Sequence, residues 1–291
     1  MRIATLAVCC LLGLSVAHAQ SAGATPGAQP HRTPPPPPPP LVPNLPTLFV
    51  VGDSTAANNN NPKQVGWGIP FAALFDPAKI NIANRARGGR SSRTFITEGL
   101  WDKVLAEMKP GDIVLLQFGH NDAGPVNDNF RARGSVKGLG EETEEIDNLI
   151  TKKHEIIHTF GWYMRKMIAD TKAKGATPIV LGLTVRDNWK DGTVERGPGN
   201  YTALSRQIAH DAGVKFMDLT SLIASRYEQL GQAAVKPYFP GDSTHTNIEG
   251  ATINAGLVLA GLKQFSDLHW DDYLSDQGRA VPVAAAPVTA P

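Results

Sequence analysis

Cysteine is almost missing from this chain of 291 residues, and the two it has, Cys9 and Cys10, stand side by side near the start. Beyond them no disulfide, thiolate-bound metal or thiol nucleophile is available. Long hydrophobic runs are missing too. No stretch reaches the ~18 apolar residues that mark a membrane-spanning helix, so no membrane partner is expected. An excess of charge of one sign is also absent, with 28 Lys and Arg against 27 Asp and Glu. A near-neutral chain carries no electrostatic footprint for nucleic acid or an anionic membrane surface.

The chain begins MRIATLAVCCLLGLSVAHA. Arg2, an apolar core over residues 3–16 and Ala17-His18-Ala19 have the form of a cleavable signal peptide over residues 1–19, and the core is too short to span a bilayer. A secreted or periplasmic location is therefore expected. Leu6-Ala7-Val8 lacks the small residue that lipidation of Cys9 would need, so no lipid anchor is expected. Residues 20–46 are rich in Pro, Ala and Gly and include seven consecutive prolines at 34–40. Such a run extends about 20 Å as polyproline II and reads as a stiff tether. Residues 275–291, rich in Ala, Pro and Val, read as a disordered tail. The folded domain is expected over residues 47–274.

Inside that domain, strand and helix patterns alternate. Strands are expected at 47–51, 79–84, 112–118, 177–183 and 214–217. Helices are expected at 94–108, 155–174 and 200–212, from Leu219 onward, and from a capping box at Thr246-Asn247-Ile248-Glu249 to about residue 265. Ile248, Ala255, Leu259 and Leu262 supply one apolar face of the last helix. The span between His120 and Lys153 reads as a long polar loop. Alternation of this kind gives an α/β fold, a doubly wound parallel sheet covered on both faces.

Three strand ends carry unusual residues: Gly52-Asp53-Ser54, Arg87-Gly88-Gly89-Arg90-Ser91 and Gly119-His120-Asn121-Asp122. In a parallel sheet these ends share one edge, where such folds bind ligands. Ser54 there is a candidate nucleophile. A glycine after the second strand and the amide of Asn121 can donate hydrogen bonds to an oxyanion. A nucleophilic serine needs a base, and the base needs an orienting partner. His245, with Asp242 three residues earlier, fits both needs. His120 is the rival base, but it adjoins Asn121 and is better suited to shaping that loop. Asp53 reads as a loop-holding residue. The motif GDST occurs twice, at 52–55 and 241–244, and only the first follows a buried strand. The nucleophile is therefore assigned to Ser54 and not to Ser243.

Four blocks, GDST at 52–55, GRS at 89–91, GHND at 119–122 and DSTH at 242–245, resemble those of SGNH (GDSL-type) hydrolases, and among them the rhamnogalacturonan acetylesterases. The resemblance implies a flavodoxin-like three-layer α/β/α sandwich with strand order 2-1-3-4-5. It implies Ser54 as nucleophile, Asp242 and His245 as its partners, and an oxyanion hole of Ser54, Gly89 and Asn121. It implies no metal and no organic cofactor. The expected activity is a serine esterase that removes O-acetyl groups from a plant cell-wall polysaccharide, foremost rhamnogalacturonan, acting as a monomer. An acetylxylan esterase and a lipid or short-chain ester hydrolase are the alternatives. Trp67 is a candidate sugar-stacking face, with anchoring to the core as its other reading. Arg90, clustered with Arg87 and Arg93, and Trp189 are further candidates for substrate binding. One motif points elsewhere: His154-Glu155-Ile156-Ile157-His158 matches H-E-x-x-H, which on a helix would suit a zinc protease. Met164 stands where one zinc family has its third histidine.

Overall fold

The computed structural model describes residues 40–285. The expected signal peptide, most of the expected tether and the end of the expected tail lie outside the described residues. The apolar run TLFVVG forms β1 (Thr47–Gly52), buried along its whole length. The one-turn helix α1 (Gly68–Phe71) precedes β2 (Asn81–Asn84). The single helix expected at 94–108 is two, α2 (Ser92–Thr97) and α3 (Leu100–Glu107). Gly99 between them has φ +69°, a left-handed conformation through which a helix cannot continue. β3 (Ile113–Gln117) follows.

The long polar loop holds an antiparallel hairpin, β4 (Thr143–Asp147) against β5 (His154–His158). The helix expected from residue 155 therefore starts later, as α4 (Phe160–Ala173), where the Thr159 hydroxyl accepts from the Trp162 N–H. Then come β6 (Thr177–Leu181), a small hairpin of β7 (Trp189–Lys190) and β8 (Thr193–Val194), α5 (Tyr201–Asp211), β9 (Lys215–Met217), α6 (Leu219–Leu230) and α7 (Gln232–Val235). α8 (Ile248–Leu262) is capped by Asn247, whose side chain accepts from the Gly250 N–H. The expected capping box does not form: the Thr246 hydroxyl donates to the Val65 carbonyl instead, the cap moves one residue on to Asn247, and the third residue of that helix, Gly250, has no side chain to complete a box. Ile248 is exposed, whereas Ala255, Leu259 and Leu262 are buried.

Five strands make one parallel sheet in the order β2-β1-β3-β6-β9. Counted within the sheet this is 2-1-3-4-5, the implied order. Alternating strand residues feed two cores. Leu48, Val50, Leu115 and Ile179 pack with Trp67, Phe71, Ile223 and Val258, from α1, α6 and α8. Phe49, Val51, Leu116 and Val180 pack on the other face with Phe95, Val104, Met164 and Ile208, from α2 to α5. The result is a three-layer α/β/α sandwich.

Both expected domain boundaries move outward. Before β1, the Val42 N–H donates to Asn81 Oδ1 at 2.9 Å and Leu41 packs on the core. After residue 274, Ser275 caps a last turn, α9 (Asp276–Arg279), and the Ala284 N–H donates to the Ala260 carbonyl. Gly278 lies so close to the Leu74 carbonyl that a Cβ would stand 2.0 Å from it. Residues 275–285 are thus docked, not a disordered tail. Their Ala/Pro/Val composition lacks any period, but Leu274 and Gly278 anchor them.

Candidate active site

β1 stops where its neighbour comes too close for a side chain. Gly52 pairs with Gln117, and a Cβ on Gly52 would lie 2.7 Å from the Gln117 carbonyl oxygen. The chain then turns through Asp53. Its buried carboxylate accepts from the Thr55 N–H at 2.9 Å and the Thr55 hydroxyl at 2.8 Å. This is the loop-holding task expected of it. Ser54 is left at the crest of the turn, partly exposed, at the carboxyl edge of the sheet. Gln117 braces the turn from below. Its amide donates to Thr55 Oγ1 at 2.8 Å, and its carbonyl accepts from Trp67 Nε1 at 2.7 Å.

The second GDST segment meets the first one here. Asp242 Oδ1 accepts from the N–H groups of Thr244 and His245, which closes a tight turn. Asp242 Oδ2 lies 2.8 Å from His245 Nδ1, and His245 Nε2 lies 2.8 Å from Ser54 Oγ. With Nδ1–H donating to the carboxylate, Nε2 presents its lone pair and the Ser54 hydroxyl donates to it. Partial burial pushes the Asp242 carboxyl upward, but the His245 ring and the two backbone N–H groups outweigh it and hold the group below the usual carboxylate range. Three contacts fix this turn in place. The Val65 N–H donates to the Thr246 carbonyl at 2.7 Å, the Asp187 N–H donates to the Ser243 carbonyl at 2.8 Å, and Asn247 caps α8.

The loop after β2 runs beside Ser54. The ladder continues past the strand, with the Arg85 N–H donating to the Val50 carbonyl and the Arg87 N–H to the Gly52 carbonyl. Gly88 then lies against the serine, where a Cβ would be 3.7 Å from Ser54 Cβ. Gly89 has φ +79°, and its carbonyl accepts from Arg133 Nη1 at 3.0 Å. Ser91 and Thr94 form a capping box that starts α2. Asn121 Nδ2 donates to the Arg90 carbonyl at 2.8 Å, which joins the loop after β3 to this one. Among the described residues this is the hydrogen bond that the Asn121 amide makes, and it uses one of two N–H donors.

His120 is buried, with Nε2 3.1 Å from Thr184 Oγ1. Burial pulls its pKa down, the Asp53 charge opposes, and Arg186 and His245 add to the lowering. It shapes the loop, as expected, and does not reach Ser54 by any hydrogen bond.

Several candidates are corrected. Trp67 is fully buried, edge-on to Phe71, with its N–H spent on Gln117. It anchors the loop and presents no face to a sugar. Arg93 is 1% exposed and ion-paired with Glu155 at 2.5 Å, so it is no part of a surface arginine cluster. Arg90 stays at the rim, held by Glu98 at 2.8 Å and by the Gly88 carbonyl. Trp189 is partly buried and donates to Asp187 Oδ1 at 2.8 Å, beside the Asp242 turn. The H-E-x-x-H segment is β5, not a helix. Along a strand His154 and His158 stand about 13 Å apart, too far to share an ion bound at about 2 Å. His158 stacks on Trp162 at 3.9 Å, and Glu155 serves Arg93. Among the described residues no group of three His, Cys, Asp or Glu side chains could hold a metal ion.

Other residues of the site were not singled out by sequence. Gln117 is a buried polar residue in an apolar strand, and that mismatch is a signal for a hydrogen-bonded brace. Asp122 lies within a quoted block, but its task is tertiary: it accepts from Ser92 and Ser135. Arg133 sits in the long polar loop, where spacing gives no hint of its contact with Gly89.

A model of the GDSL-like Lipase/Acylhydrolase family matches residues 50–253. The rhamnogalacturonan acetylesterase of Emericella nidulans is 34% identical over 73% of this chain and 83% of that protein. A Bacillus subtilis protein named probable rhamnogalacturonan acetylesterase YesY is 29% identical over 75% of this chain and 92% of its own length. Among solved structures, that of YxiM from Bacillus subtilis matches with TM-score 0.60 and 27% identity, over 76% of this chain. This chain spans 57% of the YxiM chain in that structure.

Proposed function

We propose, from the premise that this chain belongs to the GDSL-like lipase/acylhydrolase family and is a carboxylic ester hydrolase, that it removes O-acetyl groups from a plant cell-wall polysaccharide, foremost rhamnogalacturonan. The observation that carries the reading is the placement of His245, 2.8 Å from Asp242 on one ring nitrogen and 2.8 Å from Ser54 Oγ on the other. The names of the relatives at 34% and 29% identity support the choice of polymer.

In this reading Ser54 Oγ attacks the acetyl carbonyl while His245 Nε2 takes the hydroxyl proton. The oxyanion is held by the N–H groups of Ser54 and Gly89 and by the Asn121 side chain. Asp242 keeps the proton on Nδ1 and stabilises the imidazolium that forms. Collapse of the adduct breaks the bond to the sugar oxygen, which takes the proton back from His245. Water then gives a proton to His245 as it attacks the acetyl-serine, the bond from the acyl carbon to Ser54 Oγ breaks, Oγ takes that proton back from His245, and acetate leaves. The route needs neither metal nor cofactor. Secretion, suggested by the signal-like N-terminus, would place the enzyme with its polymer, and the reading treats it as a monomer.

Acetate release from acetylated rhamnogalacturonan, from acetylated xylan and from a panel of short- and long-chain aryl esters tests this reading. The first polymer and the short esters are the expected substrates. Replacing a triad serine costs roughly 10⁶-fold in rate, and that is the loss expected for Ser54→Ala. No acetate release by the wild type would sink the reading. Activity that survives Ser54→Ala and disappears in Ser243→Ala would move the nucleophile to the second GDST.

A further inference from the structure

Most arginines of the domain are matched to a carboxylate. Arg85 pairs with Glu107, Arg90 with Glu98, Arg93 with Glu155 and Arg196 with Glu228. Arg133 and Arg186 form no ion pair among the described residues, yet each is only partly exposed. Arg186 Nε is buried with no hydrogen-bond partner.

Both arginines belong to loops that border the Ser54 turn: Arg133 bonds the loop whose Gly88 lies against Ser54, and Arg186 precedes the residue that secures the Asp242 turn. Arg133 comes from the long loop after β3 and donates to the Gly89 carbonyl at 3.0 Å. Its loop is well fixed. Asp128 Oδ1 accepts from the N–H groups of residues 130 to 132, and the buried Arg93 donates to the Gly134 carbonyl at 2.8 Å. Arg186 follows β6, one residue before Asp187, whose N–H secures the Asp242 turn. Its charge acts on His120, as do those of Asp53 and His245. Burial first, then the neighbouring charge of Arg131, lowers Arg133 to about 10, with Asp53 opposing and Arg90 adding to the lowering. A guanidinium presents five N–H donors in a planar fork that fits a carboxylate with two parallel bonds. Arg133 uses one of its donors on Gly89. A partly desolvated guanidinium without an anion is unfavourable, and an arriving carboxylate relieves that cost.

We propose that Arg133 and Arg186 form a carboxylate-binding subsite beside Ser54, which seats the acid group of a uronic acid residue bearing or adjoining the acetyl ester. The proposal rests on the reading of Ser54 as the nucleophile of a polysaccharide esterase and adds the determinant that separates acidic from neutral polymers. The arginine on Gly89 also couples the two tasks, since a seated carboxylate tightens the loop that offers the Gly89 N–H.

The test compares kcat/KM of wild type, Arg133→Gln, Arg186→Gln and the double variant on three substrates. These are an acetylated galacturonate-containing oligosaccharide, the same oligosaccharide with its carboxyls methyl-esterified, and para-nitrophenyl acetate. Hydrogen bonds to charged groups are worth enough to change affinity roughly ten- to hundred-fold. Each single variant is expected to lose that factor more on the acidic oligosaccharide than on the other two, through KM. Methyl esterification is expected to cost the wild type the same factor and the double variant little. Arg133→Lys, which keeps the charge, is expected to recover part of the KM on the acidic substrate. Equal losses on all three substrates would overturn the subsite and leave Arg133 as a prop for Gly89. An unchanged preference for the acidic substrate in the double variant would overturn it too. Failure of the nucleophile reading looks different: the wild type would then not hydrolyse para-nitrophenyl acetate through Ser54.

Discussion

Asp122 lies fully buried between the start of α2 and the loop that carries Ser135, and replacing it with asparagine is expected to flatten the dependence of stability on pH. Burial raises its carboxyl from the ordinary 3.8 to about 6, against the pull of the Ser92 amide, the Ser92 hydroxyl and the Ser135 hydroxyl. The folded state therefore holds this proton more tightly than the unfolded chain does. Stabilisation from the protonated group is complete below the unfolded value near 3.8 and is lost as pH rises through about 6. Each tenfold change in proton affinity is worth about 1.4 kcal/mol. The interval from 3.8 to about 6 thus corresponds to about 3 kcal/mol. Asp122→Asn cannot ionise. Urea unfolding of both proteins, measured from about pH 3 to about pH 8, gives the difference in stability, and groups common to both cancel. Relative to the variant, the wild type is expected to lose about 3 kcal/mol across that window, most of it between about pH 4 and about pH 6. A difference that stays flat, or that grows in favour of the wild type, would refute the argument. The carboxylate would then be stabilised by its three donors more than it is penalised by burial.

Other perturbations separate chemistry from scaffold. Asp242→Asn is expected to lower kcat on an aryl acetate by roughly 10⁴-fold, because the imidazole loses its orienting acceptor, and to lower the thermal midpoint at neutral pH only modestly, through loss of the ionised carboxylate that the fold favours. Gly89→Ala forces a side chain into φ +79° and puts a Cβ 3.2 Å from the Arg133 guanidinium. It is expected to lower kcat by roughly 10²-fold through misplacement of the loop, read by steady-state kinetics. Glu155→Ala leaves Arg93, 1% exposed, without its counter-charge. A loss of about 3 kcal/mol is expected in denaturant unfolding, with hydrogen exchange rising first in the β4–β5 hairpin.

The sheet was legible because its inner strands β1, β3 and β6 are almost wholly buried. Runs such as Phe49-Val50-Val51 and Val114-Leu115-Leu116 are short and β-branched or apolar throughout, and the glycine or polar residues after them mark the edge. The β4–β5 hairpin was not legible. Thr143 to Asp147 expose all but Ile146, so no apolar period betrays a strand. His154 to His158 read as a helix start because Phe160 onward truly is one. The helix at 94–108 looked continuous because a single glycine inside an apolar period is weaker than the period itself, and only its φ of +69° shows the break. Trp67 shows a different limit. A tryptophan in a glycine-flanked loop suits a sugar platform or a buried wedge equally well, and the choice is made by Gln117, fifty residues away.

The residues expected at the site share a property that explains why they could be found. Ser54, Asp242 and His245 are placed by local turns. Asp53 holds the first turn from one residue before Ser54, and Asp242 holds the second from three residues before His245. Both turns carry their carboxylate within the same short motif, so the motif encodes its own geometry. What the motif does not encode is the distance between the turns. That is set by the Val65–Thr246 bridge and by the Asp187 N–H on the Ser243 carbonyl, contacts between segments 181 and 56 residues apart. The same division holds for the proposed oxyanion side. The left-handed Gly89 is a local feature, but Asn121 and Arg133, which hold its loop, come from beyond β3. Reactive groups are therefore written into the chain as turns, and their alignment is written into backbone contacts that carry no residue signature. Arg133 is informative because it stands across that division: a side chain from the unpatterned loop, bonded to the backbone of a patterned one, with no ion pair among the described residues.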